Sequence, residues 1–308
     1  MLTRCCVALL GLLSAAAAAD QGGTPFWTSG QYASLAAVPP PPGWSVSFTG
    51  YGYTGRVDGP VRSRSDATIA FDARERAPTL SAEIGYASEA RILGGQPFVG
   101  VSAGVGGNTI RYRVSAAAGA GITESDTVWG GTDLYPVASL AWAHGNDNVM
   151  VYATGNLPVG AYQASRLANV GLGHGAIDAG GGYTFFDARS GAEFSAVVGF
   201  TYNLANRAAS YRNGIDSHLD WAASRTVGAN GSLGVAGYVY YQLTGDSGSG
   251  AVLGPFKSRV AAIGPELGYQ FAVGRQQWQA SVRGYGEFWA RNRFEGYALF
   301  ATVSATLD

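Results

Sequence analysis

The chain has 308 residues, of which 46 are glycine, 17 tyrosine and 7 tryptophan, and only 13% are charged. Soluble domains average about 25% charged residues, so an ordinary water-facing surface is excluded. A formal net charge of −1 excludes a strongly basic nucleic-acid footprint, and nothing after residue 20 approaches the ~18 consecutive apolar residues of a membrane-spanning helix.

Residues 1–19 read as a secretory signal peptide. Arg4 supplies the positive start, Val7 to Leu13 the apolar centre, and Ala15 to Ala19 a small-residue cleavage run before Asp20. Cys5 and Cys6, the two cysteines of the sequence, lie inside it, so the mature chain is expected to carry no disulfide and no thiolate site. Residues 20–43 are not strand-like. The run Pro39 to Pro42 lacks backbone donors and fixes φ, which makes it extended and unpaired. Two readings of this segment stay open: a disordered periplasmic leader, or a lumen plug that shelters Phe26, Trp27 and Tyr32 from water.

From residue 44 the pattern is period two. A strand sends successive side chains to opposite faces, and about twelve segments alternate in this way, at about 44–54, 66–90, 96–106, 131–143, 147–157, 174–186, 191–203, 216–227, 231–244, 258–272, 276–289 and 294–307. The ninth is the clearest. Leu233, Val235, Val239, Tyr241 and Leu243 share one face, and Ser232, Gly234, Ala236, Tyr238, Tyr240 and Gln242 share the other. Segments of ~9–11 residues cross a bilayer when tilted. In the second segment the apolar parity changes between Ile69/Phe71 and Leu80/Ile84. A one-residue slip flips every side chain, so a bulge or bend is predicted at Ala77-Pro78. Connections after even-numbered segments are brief, as at Gly145-Asn146 and Gly228 to Asn230. Those after odd-numbered segments are mostly long, as at 107–130 and 158–173. Short turns on one rim and long loops on the other are the outer-membrane pattern. The predicted fold is therefore all-β: a transmembrane antiparallel up-and-down barrel of about 12 strands over residues 44–308. Trp44, Tyr86, Trp142, Tyr202, Trp278 and Phe288 near strand ends suit interfacial belts.

The inward parity holds Glu83, Asp178, Glu193, Asp220, Tyr238, Tyr240, Glu266, Arg283 and Glu287 as candidate lumen-lining residues. They read either as the polar, ion-paired interior that any such barrel needs or as a selectivity lining. Arg283 and Glu287 stand roughly 13 Å apart along one strand, which points each toward other neighbours. Catalysis has weak support. Gly245-Asp246-Ser247-Gly248 echoes a serine-hydrolase tetrapeptide, but His144, His174 and His218 show no recognisable spacing to it. No catalytic residue, metal or cofactor is assigned.

The stretches Phe26 to Trp44, Tyr211 to Ser224, Gly234 to Gly250, Ile263 to Phe271 and Gly286 to Leu299 resemble the outer-membrane proteins associated with the meta-cleavage pathway of phenol degradation. The resemblance covers most of the mature chain. It implies a barrel in the outer membrane of a Gram-negative bacterium that admits small hydrophobic or aromatic compounds. The implied partners are outer-membrane lipid, such a solute, and the barrel-assembly machinery during insertion. The chain departs from the common aromatic ending of barrel proteins, since it closes on Leu307-Asp308. The leading expectation is a passive channel. The alternatives are a structural or surface-binding barrel with a plugged lumen, and a barrel-embedded lipid hydrolase.

Overall fold

A computed structural model describes residues 25–62, 68–116, 121–251, 254–255 and 257–307. The signal-like residues 1–19 and the side chains of Ile69 and Phe71 lie outside what it describes. Thirteen strands follow in order: β1 (Gly43–Arg62), β2 (Thr68–Ala87), β3 (Gln96–Ala116), β4 (Gly121–Gly131), β5 (Tyr135–His144), β6 (Asp147–Gly155), β7 (Ala176–Asp187), β8 (Ala192–Asn203), β9 (Ile215–Val227), β10 (Gly231–Gln242), β11 (Arg259–Val273), β12 (Gln276–Arg291) and β13 (Glu295–Leu307).

Each strand pairs antiparallel with its neighbours, and β1 pairs with β13, Trp44 opposite Leu307, which closes the ring. Strands β4 and β5 both lie along β3, β4 opposite Val105 to Ser115 and β5 opposite Gln96 to Ser102. They share one place in the wall, so the ring is a closed 12-stranded antiparallel barrel. Closure leaves no unpaired edge in contact with lipid.

The face opposite the lumen is apolar and uncovered: Phe48, Leu80, Val101, Val151, Val198, Phe200, Leu219, Val235, Leu267 and Leu299 all point outward and are exposed. In water such a surface would be untenable. In hydrocarbon it is the required one. Trp44 and Tyr86, on adjacent strands with ring centroids 5.2 Å apart, mark one edge of this belt. Trp129 and Tyr297, both about 70% exposed, mark the other.

Two expectations need correction. Residues 55–62, 107–116 and 121–130 are strand, not loop, because β1, β2 and β3 continue beyond the lipid belt and β4 pairs there with β3. No bulge sits between β1 and β2 either: their register runs unbroken from Gly43↔Ala87 to Arg62↔Thr68. What changes at Pro78 is the surroundings. Below it Leu80 and Ile84 face lipid; above it Arg74 and Arg76 are exposed on that same outward face, while Ala73 and Glu75 are buried inside. Water replaces lipid, so polarity reverses while the strand keeps its parity. Pro78 has no N–H to give, and the β2–β3 ladder skips from Arg76↔Thr109 to Thr79↔Gly106.

Candidate functional site

The inward acids meet a second layer of protein. Residues 25–42 lie against the lumen side of β7 to β12, and the side chains of that wall accept hydrogen bonds from the segment's own backbone. Asp220 on β9 takes the indole N–H of Trp27 at 3.3 Å, Gly30 N–H at 2.9 Å and Tyr32 N–H at 3.2 Å. Glu266 on β11 accepts from Ser34 Oγ at 2.8 Å and Ser34 N–H at 3.4 Å. Glu193 on β8 accepts from Leu35 N–H at 3.0 Å, and Thr184 Oγ1 on β7 from Ala37 N–H at 3.0 Å. A segment without regular structure must find partners for its buried N–H groups, and here carboxylates provide them. Such charge-assisted bonds are stronger than neutral ones.

Gly30 shows why the local sequence is as it is. Its φ is +83°, its N–H is held by Asp220, and its carbonyl accepts from Tyr285 OH at 3.2 Å. A Cβ there would stand 2.8 Å from the Tyr285 ring and 2.9 Å from Tyr238. Both the left-handed backbone and the space favour glycine.

The side chains of the segment are sheltered as well. Trp27 is 1% exposed and Phe26 6%. Together with Ala37 they share an apolar cluster with Ala141, Met150, Tyr152, Leu172, Ala176 and Val197, against which the half-buried Tyr32 packs. Trp27 stacks on His218, whose Nε2 lies 3.1 Å from Asp178 Oδ2 and 3.2 Å from Tyr152 OH. Asp178 also accepts from Tyr152 OH at 2.7 Å and Thr201 Oγ1 at 2.6 Å. Asp178 thus holds the wall residues on which Trp27 rests, whereas Asp220, Glu193 and Glu266 hold the segment itself.

The remaining candidates are engaged mainly by residues of the wall. Glu287 on β12 accepts from Tyr53 OH and Tyr238 OH, each at 2.8 Å, and from Gly296 N–H at 2.8 Å. Arg283, four residues away, stands opposite Glu266 and lies 5.2 Å over the Phe300 ring. Each is therefore engaged by neighbours, not by the other. Tyr240 is 2% exposed and lies under the guanidinium of Arg293 at 4.8 Å. Glu83 on β2 faces inward between Ser47 and Ser102, apart from the segment's hydrogen bonds.

A second insertion comes from the opposite mouth. The connection between β6 and β7 folds back against the extended hairpins. Asp133 is fully buried and accepts from Asn156 Nδ2 at 2.7 Å, Gly160 N–H at 2.8 Å and Leu172 N–H at 3.2 Å. Asp126 on β4, beyond the lipid belt, receives both prongs of Arg166 at 2.7 and 3.2 Å and the N–H groups of Leu167 and Ala168 at 3.1 Å each. The bonded guanidinium holds the Asp126 carboxyl below the usual carboxylate range. Leu172 belongs to the same cluster as Phe26 and Trp27, so the two insertions meet in the lumen.

Residues 47–303 match the family model described as "Putative MetA-pathway of phenol degradation". The chain belongs to that family. The match begins just after the lumen segment and takes in most of β1 and all of β2 to β12. No curated protein matches this family member. Its fold is similar to that of an outer membrane channel from Pseudomonas putida F1, at 12% identity and a TM-score of 0.59 over 87% of this chain and 97% of that one. The transport unit of the autotransporter AIDA-I from Escherichia coli is 9% identical, with a TM-score of 0.43 over 97% of each chain. A Pseudomonas aeruginosa FadL homologue is also 9% identical, with a TM-score of 0.41 over 87% of this chain and 90% of that one. A closed barrel with a bare apolar belt and this fold is a protein of the Gram-negative outer membrane.

Proposed function

We propose that this protein is an outer-membrane channel for passive uptake of small hydrophobic or aromatic compounds, with residues 25–42 as its lumen plug. The supporting observation is the lumen wall beside that segment. Tyr51, Tyr53, Tyr238, Tyr240, Tyr285 and Phe300, from β1, β10, β12 and β13, form a cluster that the segment meets through Ala33 and Gly30. Tyr51 and Phe300 lie 4.8 Å apart between centroids, Tyr238 and Tyr285 5.1 Å, and Tyr285 and Phe300 5.9 Å in an edge-on contact. Tyr238, Tyr240, Tyr285 and Phe300 are 2–3% exposed, so withdrawal of the segment is what would open them to a planar apolar solute for stacking and edge contacts. Membership of the phenol-degradation family and the likeness in fold to an outer membrane channel from Pseudomonas putida F1 agree with transport.

Uptake of a monoaromatic hydrocarbon at low external concentration tests the reading. A strain lacking the protein should take it up more slowly, and re-expression should restore the rate. Equal rates with and without the protein would remove the substrate class. A second reading, a barrel closed permanently by its lumen segment, draws on the dense packing around Trp27; planar-bilayer recordings without any conductance would favour it. The hydrolase reading draws nothing from the geometry. Ser247 lies in a bridge with Arg212, while His218 is bonded to Asp178 and Tyr152 beneath Trp27.

A further inference from the structure

The outward face of the β1–β2–β3 hairpins carries a row of like charges. Register places Arg56 opposite Arg74 and Arg74 opposite Arg111. Arg76 stands two residues nearer the lipid belt on the same face, Arg113 two residues farther from it, and all five guanidinium side chains are exposed. Like charges directly opposite one another on a sheet are destabilising, so the row calls for an anion. The chain supplies part of one. Asp72 lies 3.7 Å from Arg74, Asp58 faces Asp72, and Glu295 faces Arg56. Arg76, by contrast, faces Thr54 and Thr109, and Arg111 faces Arg74 and Ser125. Neither has a carboxylate across the ladder.

The height of the row identifies the partner. Trp129 and Gly107 form the pair next to Thr109, and Tyr297 lies opposite Thr54, so the aromatic edge of the belt sits at the level of Arg76. The Arg56–Arg74–Arg111 row stands about 7 Å above, at ~3.3 Å per residue. That is the headgroup level of the external leaflet. Directly below, the lipid-facing wall has a depression of about 760 Å³ lined by Arg76, Gly52, Gly107, Gly284, Trp129 and Leu299, among others. A Cβ on Gly52 or Gly284 would point into open space, so these glycines form its floor.

We propose that this sector binds a phosphorylated, acylated glycolipid of the external leaflet. Its phosphates lie on Arg74, Arg76 and Arg111, and part of an acyl chain lies in the glycine-floored depression. Arginine suits this role because its planar fork pairs with phosphate in two bonds, and basic clusters beside a hydrocarbon boundary recognise anionic headgroups.

The test uses the purified barrel in detergent micelles with fluorescent lipopolysaccharide as probe. Wild type should bind it, R74S/R76S/R111S should bind about tenfold or more weakly, and the single variant R111S should fall between them. R189S/R225S/R275S, an equal loss of charge at the other rim, should bind like wild type. Enzymatically dephosphorylated probe should bind wild type as weakly as intact probe binds the first triple variant, and inorganic phosphate at tens of millimolar should leave the intact probe bound. The heat-dependent gel shift of a closed barrel verifies folding of every variant. Equal binding by wild type and R74S/R76S/R111S, equal weakening by both triple variants, or full displacement by inorganic phosphate would each overturn the proposal.

Discussion

Trp27 lies flat on His218, with ring centroids 3.5 Å apart and 13° between the planes. One residue belongs to a segment without regular structure and the other to β9. Their contact seats the segment, because the same indole also donates to Asp220. Replacing a buried tryptophan with alanine costs ~3–5 kcal/mol where the site cannot collapse. In Trp27→Ala that loss falls on the docking of residues 25–42, since the ladder of the wall is untouched. The expected outcome is a folded barrel whose conductance in planar bilayers rises severalfold. A conductance equal to that of wild type would show that the segment does not limit the pore.

Asp220 gathers three donors of that segment. Asp220→Asn keeps the shape but presents an amide N–H₂ to N–H groups and removes the charge. Hydrogen bonds to charged groups contribute ~1.5–3 kcal/mol each to stability. Partial release of the segment is therefore expected, with a conductance between wild type and Trp27→Ala. In the double variant the two effects should be less than additive, because both changes break the Trp27–Asp220 bond. Full additivity in a double-mutant cycle would separate the two residues.

The strands were legible because lipid imposes the strictest alternation. Val235 and Leu267 must face out wherever hydrocarbon lies, and period two follows. Above the belt that constraint vanishes. Arg74 and Arg76 then point outward while Glu75 points in, and the sequence suggests a slipped strand where the register is continuous. The seat of residues 25–42 was harder to foresee for another reason. Its bonds run from backbone N–H groups to side chains 147 to 232 residues away, and a backbone donor leaves no trace in a residue pattern. Asp126 and Asp133 went unnoticed on the same ground. His218 was visible only as one histidine of three, although Asp220 two positions on shares its face.

The Asp126–Arg166 clamp fixes the second insertion, and its pH response follows from the sign of one shift. The bonded guanidinium lowers the Asp126 pKa in the folded protein, against ~3.9 for a free aspartate. The clamp's contribution is then complete above about pH 4 and is lost only as pH falls through the lower folded value. Conductance attributable to this loop should be flat between about pH 5 and 8. Asp126→Asn should raise it at neutral pH, since the amide replaces acceptors of Arg166, Leu167 and Ala168. A wild-type transition near pH 6 would assign the pH response to another group.

Gly199 on β8 faces the lumen where Tyr152 and His218 meet. A Cβ there would overlap Tyr152 OH and lie 2.7 Å from His218 Nε2. Gly199→Ala must displace one of them from Asp178. Overpacking of this kind costs ~1–3 kcal/mol. A lower denaturant midpoint is expected, together with weaker seating of Trp27. Gly228→Ala is no neutral control, because its φ of +66° is itself strained for alanine. Gly284→Ala is the fitting one, since the added methyl meets open space. Equal midpoints for Gly199→Ala and Gly284→Ala would mean that the contact at Asp178 has room to relax.

The membrane assignment rests on the outward face, and depth tests it. Val235 lies midway along β10 and is 43% exposed on the lipid side, whereas Trp44 sits at the start of β1 beside Tyr86. Arginine on the lipid face of a barrel costs ~2–4 kcal/mol near the midplane and ~0–1 kcal/mol near the interface. Folding of Val235→Arg and Trp44→Arg into vesicles, followed by urea titration, should show that difference, with the loss of the Trp44 ring adding a packing cost common to Trp44→Ala. Val235→Arg should lose several times more stability than Trp44→Arg does relative to Trp44→Ala. Equal penalties would mean that Val235 meets water, and the outward belt would then need a protein partner to cover it.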